Sequence, residues 1–287
     1  MDLAQLKALL AAVDEGSFDA AARTLHVTPS AISQRIKALE SSAGTVLVTR
    51  SKPTAVTEAG RAYLRLARQV DVLVSEARSA EATNAATTTV ALAISADALA
   101  SWVMPALAGL PEGVTVDVRR EDQDHSADLL RDGTVMAAIT TDAAPVQGCT
   151  SERLGVMRYR PMASVAFAQR WLPEGGTVAE LAVAPVVVFD RKDDLQDAYL
   201  RARTTRRLDP PRHHIPGSLE FAQAVRAGMG WAMLPDQQSA LFRTEVVEFD
   251  VRRHTDVTLY WQQWSLRTPA LDAVASAVRE AASVALT

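Results

Sequence analysis

Apolar residues recur at three- and four-residue spacings through most of the first eighty positions, which is the period of helices with one buried face. A first helix ends at Gly16, and its apolar face is formed by Leu3, Leu6, Leu9, Leu10 and Val13. Two shorter helices are predicted between Phe18 and Glu40, joined by a tight turn at His26 and Val27.

The second helix of this pair has one apolar face and one polar, cationic face. Thr28 stands at the N-cap position and Pro29 at the first helical position, where its missing N–H costs nothing. Ile32, Ile36 and Leu39 recur at helical spacing on the buried side. DNA contacts are assigned to the helix start and the opposite face, namely Thr28, Pro29, Ser30, Ser33, Gln34, Arg35 and Lys37. Such side chains reach bases and phosphates from a major-groove helix, whereas the alternative is an ordinary amphipathic hairpin.

A small β-wing is predicted after this hairpin. Two short strands are predicted at 47–50 and 54–56, on either side of Ser51-Lys52-Pro53, which places Arg50 and Lys52 near the wing tip. In isolation this pattern is typical of a solvated turn. Beside a helix-turn-helix, the two cations are expected to contact the DNA backbone.

A long helix is predicted next, capped by Thr57 with Glu58 in its first turn. Its apolar residues form a heptad stripe of Ala59, Tyr63, Leu66, Val70, Leu73, Ala77 and Ala80. Because so narrow a stripe buries little surface alone, it predicts pairing with a second copy of the chain. The small and polar residues 82–89 are the predicted hinge.

From Thr89 onward, predicted strands alternate with helices, which indicates an α/β fold with a parallel, doubly wound sheet. The strands are expected at residues 90–94, 114–118, 136–140, 185–189, 213–215, 231–234 and 257–261, before a C-terminal helix at 270–286. Two such units, with chain crossings near 160–162 and 264–266, predict a two-lobed clamshell like that of periplasmic binding proteins.

Charge is unevenly distributed along the 287 residues, whose net charge is −4. Residues 1–68 hold nine basic and six acidic residues, a charge of +3, so the remainder carries −7. A basic head on an acidic body fits a DNA-binding domain joined to a sensor.

Cys149 is the only cysteine, so neither a disulfide within one chain nor a cysteine-based zinc site is expected. Without a signal sequence or a run of about 18 apolar residues, a cytoplasmic location is expected.

Several short motifs follow the hairpin in a specific order: Gly44, Leu47, Arg50, Lys52-Pro53 and Thr57-Glu58-Ala59-Gly60. This order resembles the winged helix-turn-helix of LysR-type transcriptional regulators. Departures from the family pattern are Ala43, Val48 and Ala55, and the last removes one expected backbone contact. The resemblance implies promoter DNA and RNA polymerase as partners, and a homodimer or homotetramer built through the long helix.

The expected division of the chain follows from these features. Residues 1–58 form the winged helix-turn-helix, and residues 59–88 form the linker helix and hinge. Residues 89–287 form the effector-binding domain. Its lobe I is expected at 89–161 plus 267–287, and its lobe II at 162–266.

In open α/β sheets, ligands bind beyond the carboxyl ends of the strands. Those ends carry polar and acidic residues, and the assigned effector residues there are Ser95, Asp97, Glu121, Asp122, Thr140, Thr141, Asp142, Phe189, Asp190 and Asp193. Single carboxylates often only cap helices, but four acidic loops at one cleft favour a cationic ligand. Ser95 and Ser218 lie at helix starts whose N–H groups could hold a carboxylate, and Trp102 either shields the ligand or belongs to the core.

A narrower resemblance covers the segments Asp97–Leu107, Phe189–Leu195 and His213–Pro235, which are similar to regulators of lysine and arginine exporters. It implies L-lysine, L-arginine or L-histidine as the effector. A different small metabolite, or a solute-binding protein of a transporter, are the alternatives. The known catalytic motifs (GxSxG, P-loop, dinucleotide fingerprint, HExxH) are missing from the sequence, so no enzyme activity, cofactor, catalytic residue or metal ligand is assigned.

Overall fold

The computed structural model describes residues 1–49, 51–81, 87–120 and 123–287, with the side chains of 78–81 and 123–125 left out. Arg50, Glu121 and Asp122, together with most of the predicted hinge, therefore lie outside the described residues.

The N-terminal head has the predicted winged helix-turn-helix. Its helices are α1 (Leu3–Asp14), α2 (Phe18–Thr24) and α3 (Pro29–Ala43), and its wing pairs β1 (Val48–Thr49) with β2 (Ala55–Val56). Ile32, Ile36 and Leu39 of α3 are buried as the spacing predicted. They pack with Leu6 and Leu9 of α1 in the core of the head.

Helix α4 (Glu58–Glu81) leaves the head and carries the heptad stripe. The Thr57 hydroxyl accepts a hydrogen bond from Gly60 N at 3.0 Å, which confirms the predicted cap. The first half of the stripe, at Tyr63, Leu66 and Val70, packs against the core of the head within the same chain. Leu73, which is 44% exposed, and Ala77 further along the stripe are open to solvent, as is Ala59 at its start.

The first part of the effector domain has the predicted alternation of strands and helices. It comprises β3 (Thr88–Ile94), α5 (Ala96–Ala98), a π-helical turn (Leu99–Val103), α6 (Met104–Ala108), β4 (Val114–Arg120), α7 (Gln123–Arg131) and β5 (Ala137–Thr140). Strand β3 pairs in parallel with both β4 and β5. The C-terminal helix α13 (Pro269–Ala285) contributes Leu271, Val274 and Val278 to this lobe's core.

The second lobe is built from short elements. These are α8 (Val165–Trp171), α9 (Val178–Leu181), β7 (Val186–Val188), α10 (Leu195–Arg203), β8 (Arg212–His214), α11 (Ser218–Arg226), β9 (Ala232–Pro235), α12 (Asp236–Ser239), a 3₁₀ turn (Ala240–Phe242) and β10 (Val246–Glu248). Strands β7 and β8 pair in parallel. The rings of Tyr199, Trp231 and Phe249 pack edge to face in the core of this lobe.

Two long antiparallel strands connect the lobes, and the sequence analysis missed the first of them. Strand β6 (Cys149–Ser164) pairs with β11 (Thr255–Trp264) along its first part and with β9 and β10 along its last part. Its charged, half-exposed first part has no apolar run that would indicate a strand. The sheet is therefore mixed, whereas a parallel sheet was expected.

The return crossing was also placed too late in the chain. Strand β10 still pairs with the lobe II end of β6, and β11 begins at Thr255 opposite Tyr159. The chain thus re-enters the lobe I sheet at the start of β11, so the expected crossing at 264–266 is wrong. Trp264 already lies fully buried in the core at the far end of this strand.

We expect Gly60→Ala to destabilise the head, because a Cβ at this position would lie 2.0 Å from the carbonyl oxygen of Leu47. Relieving that overlap requires the wing to move away from α4, at a cost of about 1–3 kcal/mol or more in the free energy of unfolding. Thermal and urea unfolding, monitored by circular dichroism, measure this loss of stability. Gly109→Ala is the control, because its nearest neighbour would be 3.7 Å away. Equal stabilities for the two variants would contradict the steric argument.

Candidate DNA-binding surface and effector cleft

The polar face of α3 is open to solvent, as a DNA-reading helix requires. Ser30, Gln34 and Lys37 are exposed, while Ser33 and Arg35 are half-buried. The Thr28 hydroxyl caps the helix by accepting from Ala31 N at 3.2 Å and lies 3.0 Å from the Ser30 hydroxyl. Neither Arg35 nor Lys37 forms a salt bridge with any described residue, so both charges are available to phosphates or bases.

The wing is held firmly against the head. Thr54 N donates to the carbonyl oxygen of Gly16 at 2.8 Å, and Gly16 has a φ of +69° where the wing residue Pro53 packs against it. On the other side, Glu40 of α3 accepts from Leu47 N at 2.9 Å. These contacts present Lys52 at the exposed wing tip, and Pro29 is exposed at the start of α3.

A cavity of about 340 Å³ opens where the ends of β3 and β7 meet the connecting strand β6. Its volume lies near the lower end of the range for small-molecule sites, about 300–1,000 Å³. The polar and aromatic lining residues are Ser95, Asp97, Tyr159, Phe189, Asp190, Lys192, Asp193, Asp194, Gln196 and Phe221. Four of these are carboxylates and one is a lysine, so the lining has a strong excess of acidic groups.

Asp97 joins the two lobes at this cavity. Its two carboxylate oxygens accept hydrogen bonds from the Tyr159 hydroxyl on β6 at 2.9 Å and from the Ser218 hydroxyl in lobe II at 2.6 Å. The buried amide of Gln238 donates to the Ser218 oxygen at 2.7 Å, which directs the serine proton toward Asp97. Hydrogen bonds to an ionised acceptor are about twice as strong as neutral ones.

Burial raises the pKa of Tyr159 well above its ordinary value, and the neighbouring Asp97 charge raises it further. The phenol therefore stays neutral and acts as a donor. Sequence reasoning missed Tyr159 because it lies on the strand that the apolar pattern did not indicate. It also missed Gln238, a single amide in the short helix α12 with no local signal of its contact to Ser218.

The loop after β7 presents the second acidic group. Asp193 accepts from Phe189 N at 3.0 Å and from Leu195 N at 3.1 Å, while Asp190 accepts from Lys192 N at 2.7 Å. Burial raises the pKa of Asp193; the backbone donors oppose this, and the nearby Asp97 and Asp190 charges add to it. A cation in the cavity would relieve this repulsion between carboxylates.

Two serines were predicted to present helix N-termini to a ligand. Ser95 lines the cavity and caps the first helix of lobe I, where its hydroxyl accepts from Ala98 N at 3.4 Å. Ser218 is buried beside the cavity instead of lining it, and its hydroxyl is bound to Asp97 and Gln238.

Four other assigned residues lie away from the cavity lining. Trp102 is buried in the lobe I core because its π-helical turn packs against α13. Thr140 is buried at the end of β5, and its hydroxyl accepts from Asp142 N at 3.2 Å. Asp142 in turn accepts from Ala144 N at 2.9 Å, so the loop containing Thr141 folds onto itself. The structure brings Ser95, Asp97, Phe189, Asp190 and Asp193 together at the cavity.

The described residues include no group of three His, Cys, Asp or Glu side chains placed to hold a metal ion. None of the helices in the described part of the chain has the length and hydrophobicity needed to span a membrane.

Comparison with known proteins identifies both domains. Residues 3–61 match the bacterial regulatory helix-turn-helix of the lysR family, and residues 83–283 match the LysR substrate binding domain. The chain belongs to the LysR family of transcriptional regulators. Its fold, with a winged helix-turn-helix, a linker helix and a two-lobed effector domain, is that of the family, whose members are DNA-binding regulators and not enzymes.

Relatives match over their full length. The lysine export transcriptional regulatory protein LysG of Corynebacterium efficiens is 40% identical, covering 100% of this chain and 99% of the relative. The crystal structure of ArgP from Mycobacterium tuberculosis has 46% identity and a TM-score of 0.93, covering 100% of this chain and 99% of that one. Full-length LysG from Corynebacterium glutamicum with bound effector Arg has 35% identity and a TM-score of 0.87 at the same coverage.

Gln34→Ala is expected to lose about 1–3 kcal/mol of discrimination at particular base pairs, because an exposed amide on α3 reads base edges. Lys37→Ala should instead weaken binding to all sequences and reduce the salt slope by about one, as for a phosphate contact. Fluorescence anisotropy with the chain's own upstream DNA and with random DNA, over several salt concentrations, separates the two effects.

Arg279→Ala is the control for this comparison, because Arg279 pairs with Glu152 on the effector domain at 2.7 Å. Equal losses on specific and random DNA for Gln34→Ala would refute its role in reading bases.

Proposed function

We propose that the cleft of this LysR-type regulator binds a basic amino acid, L-arginine or L-lysine, and thereby controls transcription of an exporter gene for that amino acid. The observation that carries the proposal is the charge of the cavity lining, where four carboxylates face one lysine. The relatives support it, since one is named for lysine export and another holds Arg as its effector.

The charge of the cleft favours a cation over a neutral or acidic metabolite. Asp193 is half-buried, and its pKa is already raised by burial and by the neighbouring Asp97 and Asp190. A guanidinium or ammonium group would counter this repulsion and gain charge-assisted hydrogen bonds, each worth about 1.5–3 kcal/mol. The α-carboxylate of the ligand would then lie toward Ser95 and Lys192, two of the polar residues that line the same cavity.

Binding at this position is coupled to lobe closure. Asp97 belongs to lobe I, whereas Ser218, which donates to it, belongs to lobe II. A ligand in the cavity between the lobes binds the open and the closed arrangement with different affinities. That difference in affinity determines how far the ligand shifts the equilibrium between the two arrangements. That shift is the proposed signal to the DNA-binding heads.

We also propose that α4 pairs with a second copy through the exposed later part of its stripe, at Leu73 and Ala77. The earlier positions already pack against the head, so the pairing surface is shorter than the heptad pattern predicted. RNA polymerase is the further partner that regulation from a bound promoter requires.

Isothermal titration calorimetry on the full-length protein tests the effector. L-Arginine and L-lysine are expected to bind, while L-leucine and L-glutamate are not. Asp193→Asn should weaken arginine binding by roughly 10- to 100-fold, because one charge-assisted contact is lost.

Asp142→Asn provides the matched control, since this carboxylate also follows a strand of the effector domain and accepts from a backbone N–H but does not line the cavity. Binding of leucine or glutamate as tight as that of arginine would overturn the proposed effector class. The same conclusion follows if Asp193→Asn binds arginine no more weakly than Asp142→Asn.

A further inference from the structure

Helix α4 has a second ordered face, opposite to its heptad stripe. Arg61, Arg65, Arg68 and Val72 follow one another at spacings of four, three and four residues, so they share one side of the helix. This side lies against lobe I of the effector domain. Arg61 is 3.7 Å from Asp128 of α7, and Val72 packs against the core of the effector domain.

Arg68 contacts three residues in two parts of the molecule at once. One terminal guanidinium nitrogen donates to Asp14 at the end of α1 in the head at 2.6 Å. The other donates to the carbonyl oxygen of Asp132 at 3.0 Å and to the Thr134 hydroxyl at 2.6 Å, both in lobe I. The side chain is only 17% exposed, so these bonds are partly shielded from water and salt.

The turn of α4 that contains Arg65 packs closely against two turns of lobe I, one at Gly133 and one at Gly148. A Cβ on Gly133, whose φ is +76°, would lie 3.0 Å from the Cα of Arg65. A Cβ on Gly148, with φ of +79°, would lie 3.3 Å from the Arg65 guanidinium, which donates to the carbonyl oxygen of Gln147. The backbone of lobe I therefore approaches α4 as near as the helix allows.

We propose that Arg68 is a positioning residue that fixes the angle between the DNA-binding head and lobe I within one subunit. The guanidinium suits this role because it is planar, always charged and able to serve several acceptors in a fixed geometry. Asp14 binds it from the head, and Asp132 and Thr134 bind it from the effector domain. A movement of lobe I is thereby transmitted to the head through one side chain. This positioning role is separate from effector recognition and does not depend on which ligand binds.

The test measures the head-to-lobe distance directly by double electron–electron resonance. Spin labels are placed at the exposed positions Ser42→Cys and Glu112→Cys in a Cys149→Ser background, diluted with unlabelled protein so that distances within one subunit dominate. The parent is expected to give one narrow distance distribution. Arg68→Ala and Asp14→Ala should broaden it or add a second distance, and Arg68→Lys should give an intermediate result.

Two controls separate positioning from a general loss of structure. Arg267→Ala removes an arginine whose partner, Asp272, lies in the same domain, so the distribution should stay narrow. Gly133→Ala should broaden the distribution by pressing on Arg65, whereas Gly44→Ala has similar backbone strain but no neighbour within 4 Å.

Binding to the chain's own upstream DNA supplies the functional readout. Arg68→Ala is expected to bind more weakly with an unchanged salt slope, because the DNA contacts persist but the heads are no longer pre-arranged. An unfolded head would instead lose both the affinity for DNA and its salt dependence. A distance distribution for Arg68→Ala as narrow as the parent's, or equal broadening by Arg267→Ala, would overturn the proposal.

Discussion

The carboxylate of Asp97 is the contact on which the effector domain depends, because it receives donors from both sides of the cleft. Tyr159 reaches it from the connecting strand and Ser218 reaches it from lobe II, each within 3 Å. Gln238, almost fully buried behind Ser218, fixes the direction of that serine's proton. Removing any one donor would leave a partly buried charge with fewer partners, which costs more than an ordinary hydrogen bond contributes.

The same carboxylate is one of the four acidic groups that line the cavity. Burial raises the pKa of Asp193, and the nearby charges of Asp97 and Asp190 raise it further. Within a protein such repulsion is only weakly screened, so a bound cation gains more there than at an exposed surface. Asp97 therefore both joins the lobes and lines the cavity, so in the proposed function one residue links recognition to closure.

The head and the effector domain are joined by a helix with two different faces. One face of α4 packs Tyr63, Leu66 and Val70 on the head, and the other places Arg65 and Arg68 against lobe I. The contact with lobe I consists of a few side-chain contacts. An arrangement held by a few directional contacts can change with a few kcal/mol, which is the scale of a ligand's differential binding.

Sequence reasoning succeeded where structure is set by local periodicity. The burial of Ile32 and Ile36, the Thr57 cap and the wing all followed from spacing and capping chemistry. It failed where a residue's role depends on distant partners. Strand β6 has no apolar run, so Tyr159 gave no signal, and the contact of Ser218 with Asp97 spans 121 positions of the chain. For Trp102 the sequence left a cleft and a core position open, because helical periodicity does not distinguish the two, and the structure places it in the core.

The central claim is that the cleft recognises positive charge, and a comparison of L-arginine with L-citrulline tests it most directly. The two ligands have nearly the same shape, but the ureido group of citrulline is neutral. Calorimetric titration of the full-length protein should show that arginine binds at least tenfold more tightly than citrulline. A tenfold difference corresponds to about 1.4 kcal/mol, which one charge-assisted contact supplies. Equal affinities for the two ligands would contradict the account.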